Sequence, residues 1–295
     1  MQPILRYLLE TKRPTNNPLF CLTTTIGLLD MLNIKHEVDA HGNVTVNLGG
    51  HTSFTSHTDT VDNKLGHNHL DIDEEGGMVT VKNGGVLGAD DGAGMYVMIR
   101  MILAAKPGYY VFFATEEQGR VGSSKYDMPA HIKKCVSFDR KGYDNLITHQ
   151  MGEPGCSDAF ANAFIASFDL PYVKDPTGSY TDSYTYFTSV PECVNLSVGY
   201  FDQHTKFEAL DFLFLEELVD ACITLDWEAL PVERDPHAVA KWYDMGYPHT
   251  ASSSKLEDFV YENPEIVAQY LEEMGVTVED LMRYYEEGYE QYSIH

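Results

Sequence analysis

The apolar positions of this chain change period along its length. From Leu19 to Leu32 they recur at helical spacing, and Asn33 ends the run. Two short β-type runs follow, Val44–Leu48 and Ser53–His57, parted by Gly49-Gly50. Val79–Val81 and Gly85–Leu87 flank Asn83-Gly84, a dipeptide suited to a tight turn, so a hairpin is predicted there. Gly94 to Ala105 returns to a helical pattern, closed by Pro107-Gly108. Tyr109–Ala114 and Lys134–Phe138 are continuous apolar runs of strand length, and Asn145–His149 and Val194–Val198 read as further strands. Ser157–Phe168 reads as a helix capped by Ser157, and Phe207–Trp227 as a long helix with one apolar face. Strands alternating with helices predict an α/β fold, a three-layer sandwich whose mostly parallel mixed sheet is flanked by helices.

The character changes after Pro231. Glu257–Tyr289 is acidic and aromatic, with Pro264 and Gly275 breaking it into short helices. Its stripe of Tyr270, Leu271, Met274, Leu281, Tyr284 and Tyr285 is expected to pack on the preceding domain. The expected organisation is a main domain over residues 1–231 and an acidic helical extension over 232–295.

Composition narrows the function classes. With 295 residues and 43% hydrophobic content, the chain can fill a sizeable core. A formal net charge of −25 argues against nucleic acid or an anionic membrane as partner, since both repel such a protein. Arg6, Glu10, Lys12 and Arg13 interrupt the first apolar run, so no signal peptide is expected, and no apolar run has the length of a membrane span. The five cysteines are scattered and odd in number, without a C-x-x-C pair, which predicts reduced thiols and a cytoplasmic location.

Four polar clusters stand where apolar strands end or a helix begins. His57-Thr-Asp59 closes one strand, and Asp90-Asp91 opens the helical run that continues through Gly94. Glu116-Glu117 ends the next strand, and Asp139 the one after. Taken singly, each is an ordinary turn or a solvated face. Their order is what sets them apart, because each follows an apolar strand whose carboxyl end would line the crevice of an open α/β sheet. Imidazole and carboxylate together suit zinc, with cobalt or manganese as substitutes, and a further carboxylate is needed to move the proton of water. His67-Asn-His69 lies in a polar loop and not at a strand end. His149 follows a strand and rivals the later His204 as a ligand.

The succession H-T-D, G-A-D-D-G-A-G, A-T-E-E-Q-G-x-x-G-S, F-D and a late G-Y-F-D-Q-H-T resembles the co-catalytic zinc peptidases, the superfamily of the M28 aminopeptidases, the M20 family and the M42 family. The likeness runs from Ser53 to Glu208. Gly88–Gly94 is most like the peptidase T version, and Glu116–Ser123 most like that of M28. The resemblance implies two zinc ions bridged by Asp90, one completed by His57 and Asp139, the other by Glu117 and His204. It makes Glu116 the general base and has Asp59 hydrogen-bond the free nitrogen of His57. It also implies a cis peptide between Asp90 and Asp91. Asp182, in Ser179-Tyr-Thr-Asp-Ser183, resembles segments that line the substrate site in M42 and M28 enzymes. His204 is preferred to His149 because Thr205 follows it after a strand, as in the family.

M20 enzymes insert a lid between their last two ligands, but residues 140–203 are already filled by the expected strands and helix, so a lidless domain is expected. The resemblance therefore implies an aminopeptidase acting on small peptides, as a monomer or a homo-oligomer. A lidless amidohydrolase cleaving N-acyl amino acids is the alternative enzyme, and an inactive relative that only binds is the alternative outside catalysis.

Overall fold

The computed structural model describes residues 1–62, 64–237, 264–273 and 276–278. The chain divides into two units, Met1–His249 and Thr250–His295. The first begins with helices α1 (Pro3–Glu10) and α2 (Pro18–Met31). Pro18 has no N–H to satisfy and the Asn17 side chain accepts the N–H of Phe20, so this Asn-Pro pair starts α2. Next come β1 (Glu37–Val38), β2 (Val44–Asn47), β3 (Thr52–His57), β4 (Leu70–Asp73), β5 (Met78–Val81) and helix α3 (Ala89–Leu103). They are followed by β6 (Tyr109–Phe113), β7 (Lys134–Arg140), β8 (Asn145–Ile147), β9 (His149–Gln150), β10 (Glu153–Pro154) and helix α4 (Asp158–Ser167). The unit then adds β11 (Val173–Asp175), β12 (Glu192–Ser197), β13 (Tyr200–Phe201), β14 (Ala209–Asp211) and helix α5 (Phe212–Thr224).

Eight strands make one sheet in the order β1-β2-β6-β3-β7-β12-β8-β11. Its centre, β6-β3-β7-β12, is parallel, while β2 runs antiparallel to β6 and β8 antiparallel to β12. This is the mostly parallel mixed sheet that the alternating pattern predicts. Side chains of β6 alternate between two cores. Tyr110 and Phe112 join the large cluster that includes residues of α1, α3 and α5, whereas Val111 and Phe113 meet Cys135, Cys193, Tyr186 and Phe187. Trp227 anchors the large cluster, its ring centroid 5.0 Å from that of Phe54 and its indole N–H donating to the Cys222 carbonyl at 2.9 Å. A Cβ on Gly94 would strike the Phe138 carbonyl oxygen, so glycine is what lets the start of α3 lie against β7. All five cysteines are free and buried. Among the described residues no helix is long and apolar enough to cross a membrane.

Three expected elements differ, and the first is Asn145–His149, which splits into β8 in the large sheet and β9 paired with β10. Gly85–Leu87 is not a strand, because its N–H groups are taken elsewhere: Gly85 donates to the Lys206 carbonyl and Leu87 to the Glu208 carboxylate. β5 pairs instead with β4 and β14, in a four-stranded sheet of order β13-β14-β5-β4. The expected helix from Phe207 starts only at Phe212. Residues before it form β14, and Asp211 caps α5 by accepting the N–H groups of Leu213 and Phe214, each at 3.0 Å.

In the second unit the described helix is α6 (Pro264–Glu273), which carries Tyr270 and Leu271 of the tail stripe. Met274, Leu281, Tyr284 and Tyr285, the rest of the stripe expected to pack on the main domain, lie outside the described residues.

Candidate metal centre

The parallel strands bring the polar clusters to one edge. β3 pairs with β6 so that His57 is opposite Phe113, and with β7 so that Thr55 is opposite Ser137. His57 is therefore level with Asp139, at the carboxyl ends of both strands. Past Phe113 the chain turns at Thr115, whose φ is 53°, into a short 3-10 turn holding Glu116 and Glu117. Asp90 and Asp91 open α3 and are joined by a cis peptide, as the resemblance implies. His204, with φ 65°, sits in the turn after β13.

These side chains meet. His57 Nε2 is 3.0 Å from Asp90 Oδ1 and 3.8 Å from Asp139 Oδ1. His204 Nε2 is 3.1 Å from Asp90 Oδ2 and 3.0 Å from Glu117 Oε1. Among the described residues two trios, His57-Asp90-Glu117 and His57-Asp91-Asp139, each place one donor atom per residue within 4.8 Å of the others. Asp91 belongs to the second trio, but both its oxygens are occupied. Oδ2 accepts the His57 N–H at 3.1 Å and Oδ1 the Gly94 N–H at 3.0 Å, so it clamps β3 to α3.

Asp59 works differently from the implied contact. The His57 Nδ1 atom is 2.9 Å from the Asp59 backbone carbonyl and 3.6 Å from its carboxylate. The carboxylate is engaged elsewhere, Oδ1 accepting the Glu116 N–H at 3.0 Å and Oδ2 the Thr15 hydroxyl at 2.6 Å. The carbonyl thus orients the imidazole, and the carboxylate ties the His57 strand to the Glu116 turn.

The electrostatics are those of acids packed around two imidazoles. Burial pushes Glu116 well above the ordinary carboxylate range, reinforced by the charges of Asp182 and Asp139, although His57 opposes it. Burial likewise raises Glu117 to about 7 and Asp139 to about 6. Burial alone would lower His204, but hydrogen bonds to Asp90 and Glu117 outweigh it and lift the ring to about 11. Asp90 goes the other way: burial would raise it, but His204 and His57 hold it below its usual value.

Asp182 begins a 3-10 turn at Asp182–Tyr186 and is buried, and among the described residues its Oδ1 has no hydrogen-bond partner. Burial raises it to about 7 against a hydrogen bond from Ser123. Among the described residues, His149, His67 and His69 belong to neither trio. His149 is in β9, beside the Thr148 hydroxyl at 3.0 Å, and burial lowers its pKa. His67 and His69 are exposed on either side of buried Asn68, which donates to the Leu9, Val86 and Leu87 carbonyls.

Several residues that hold the site carry no motif in the sequence. Glu208 accepts the backbone N–H groups of Leu87, Gly88, Ala89 and Asp90 at 2.7, 3.1, 2.8 and 3.2 Å. The fully buried Arg13 donates to the carbonyls of Leu8, Thr11, Thr58 and Gly88. Asn195 brackets the Asp139 backbone, accepting its N–H at 2.9 Å and donating to its carbonyl at 2.7 Å. The Tyr200 hydroxyl donates to Asp139 Oδ1 at 3.1 Å.

No family model and no curated protein matches the chain. Solved structures do. The aminopeptidase PepT from Bacillus cereus superposes with a TM-score of 0.60 at 15% identity, over 75% of this chain and 95% of its own. The chain shares that fold. A tripeptidase from Staphylococcus aureus gives a TM-score of 0.60 at 13% identity, covering 75% of this chain and 95% of that one. An aminopeptidase from the archaeon Desulfurococcus kamchatkensis gives 0.60 at 13% identity, covering 84% and 98%.

Proposed function

We propose that this chain is a metallopeptidase of the co-catalytic zinc type, an aminopeptidase acting on small peptides. The observation that carries the reading is Asp90, whose two carboxylate oxygens each face a histidine, Oδ1 toward His57 at 3.0 Å and Oδ2 toward His204 at 3.1 Å. A buried aspartate engaged in this way is placed to be shared by two cations, with His57 and Asp139 completing one shell and Glu117 and His204 the other. The donor set fits zinc, with cobalt or manganese as substitutes. The Asp59 carbonyl occupies Nδ1 of His57 and leaves Nε2 as the ligand atom. The likeness in fold to structures described as aminopeptidases and a tripeptidase supports the same reading. Free, buried cysteines are in keeping with a reducing compartment, the cytoplasm.

When bound, the cations would polarise the scissile carbonyl and acidify the attacking water. Glu116 is the residue that takes the proton of that water and passes it to the leaving amine. Burial, by keeping its carboxylate well above the ordinary range, suits it to hold that proton between the two transfers. Asp59 fixes both partners, the His57 ring through its carbonyl and the Glu116 backbone through its carboxylate. Asp182 is the substrate-facing acid, and the surrounding carboxylates favour a substrate that presents an ammonium group.

The test compares zinc-loaded wild-type protein with Glu116→Gln for release of p-nitroaniline from aminoacyl anilides, with bound metal measured in both. The expected loss is on the order of a hundredfold or more at equal metal content. Equal activity would remove Glu116 as the base. Turnover of N-acyl amino acids in place of anilides would point to a deacylase, and metal binding without any turnover to a binding protein.

A further inference from the structure

The acidic turn that carries Glu116 and Glu117 also carries a cation. Arg120 has φ 59°, and its N–H donates to the Glu116 carbonyl, so its backbone is part of the same turn. Its guanidinium lies 4.6 Å from the Tyr180 ring centroid and 5.5 Å from that of Tyr184. Nη1 donates to the Thr185 hydroxyl at 3.3 Å, and that hydroxyl is 3.1 Å from the Ser123 hydroxyl, which lies near enough to Asp182 to lower its pKa. Two hydroxyls thus link Arg120 to the acid that faces the substrate.

The charge balance makes this placement informative. The chain has 45 acidic residues against 20 lysines and arginines, so an arginine has carboxylates to choose from. Arg13 is spent on backbone carbonyls, and Arg6 and Arg100 pair with glutamates. Among the described residues no carboxylate lies within ion-pair distance of Arg120. It is held instead by two aromatic faces and a hydroxyl, which orient a guanidinium without neutralising it. A planar fork fixed in this way is arranged for an incoming carboxylate.

We infer that Arg120 is a specificity residue that binds a carboxylate of the substrate, carried by an acidic side chain or by the C-terminus of a short peptide. The inference rests on the peptidase reading above. It assigns the site zwitterionic substrates, the ammonium directed to the Asp182 side and the carboxylate to Arg120.

The experiment measures kcat and KM of zinc-loaded wild-type, Arg120→Met and Arg120→Lys protein on two pairs of substrates. They are leucyl-p-nitroanilide, which carries no carboxylate, glutamyl-p-nitroanilide, and trialanine set against trialanine amide. Arg120→Met is expected to lose on the order of tenfold to a hundredfold more kcat/KM on the carboxylate-bearing member of a pair than on its neutral counterpart, mainly through KM. Arg120→Lys should recover part of that difference. A loss confined to glutamyl anilide assigns the side chain, and a loss confined to trialanine over its amide assigns the C-terminus. Equal losses on charged and neutral substrates, with hydrolysis intact, overturn the inference and leave the peptidase reading standing. Calorimetric binding of free trialanine to the zinc-loaded protein is read separately. Unchanged binding by Arg120→Met excludes the C-terminus as the bound carboxylate and, together with equal losses on the two anilides, overturns the inference, while absent turnover in wild-type protein counts against the peptidase reading.

Discussion

One oxygen of the Glu208 carboxylate accepts the backbone N–H of Asp90 at 3.2 Å, from 118 residues further along the chain. Its two oxygens take four successive N–H groups, Leu87 to Asp90, and so fix the approach to the aspartate on which the proposed metal pair depends. Glu208 is 1% exposed, so removing it leaves these donors with little access to water. Glu208→Ala is expected to destabilise the fold by about 2–4 kcal/mol and to weaken zinc binding. Urea unfolding of the metal-free protein, together with zinc titration, would measure both, and an unaltered zinc affinity would count against the positioning role.

Asp59 offers a sharper test of orientation. Asp59→Asn preserves the backbone carbonyl that meets His57 Nδ1, but replaces one oxygen that accepts from Glu116 or Thr15 by an amide donor. The imidazole should keep its place while the Glu116 turn loosens. Activity on an aminoacyl anilide is expected to fall on the order of tenfold to a hundredfold, in kcat and not KM, at unchanged metal content. Loss of metal in this variant would show that the carboxylate, not the carbonyl, secures the ligand.

Much of the sheet and most of the proposed centre could be read before the fold was known. The reason is that parallel strands advertise themselves as apolar runs, and polar residues at their ends stand out against that background. His57, Glu116, Glu117 and Asp139 all follow such runs, and the structure brings them together with Asp90 and His204. The supporting residues lack such a frame. Glu208 stands between exposed Phe207 and the small strand β14, and nothing local distinguishes it from a surface acid. Arg13 reads as one of several charges near the start of the chain, yet it is fully buried. Gly85–Leu87 reads as a strand from its turn dipeptide, but its N–H groups go to the Lys206 carbonyl and the Glu208 carboxylate, more than a hundred residues away. Local pattern carries periodicity and strand ends, while contacts of this span depend on the completed fold.

Arg13 ties three elements to the site through its guanidinium, donating to Thr58 beside His57 at 2.9 Å, to Gly88 before Asp90 at 3.1 Å, and to the carbonyls of Leu8 and Thr11. Burial lowers its pKa, opposed by the charges of Cys21, Asp91, Asp59 and Glu208. Arg13→Met keeps the length of the side chain but strands four carbonyls and removes the cation from among three acids. A loss of about 3–5 kcal/mol is expected by chemical denaturation. A loss below about 1 kcal/mol would mean that water replaces the guanidinium at these carbonyls.

The acids of the centre set a pH dependence for the metal-free protein. Burial raises Glu117, Asp182 and Glu208 to about 7 and Asp139 to about 6. A carboxyl whose folded pKa exceeds its unfolded one holds its proton more tightly in the fold. Its stabilising effect is complete below the unfolded value and is lost as pH rises through the folded one. His204 acts in the same direction. Burial would lower it, but Asp90 and Glu117 raise it from 6.5 to about 11, so its contribution fades as pH climbs above 6.5. Asp59 and Asp90 are held below their usual values despite burial, and their contribution is lost only as pH falls below the ordinary carboxylate range. Between about pH 5 and about pH 8 the raised groups therefore decide the slope. The melting temperature of chelator-treated protein should fall by several degrees across that interval. Zinc should flatten or reverse the trend, because its binding displaces the same protons. A metal-free melting temperature that rose with pH would mean that the carboxylates of the centre are not buried together as described.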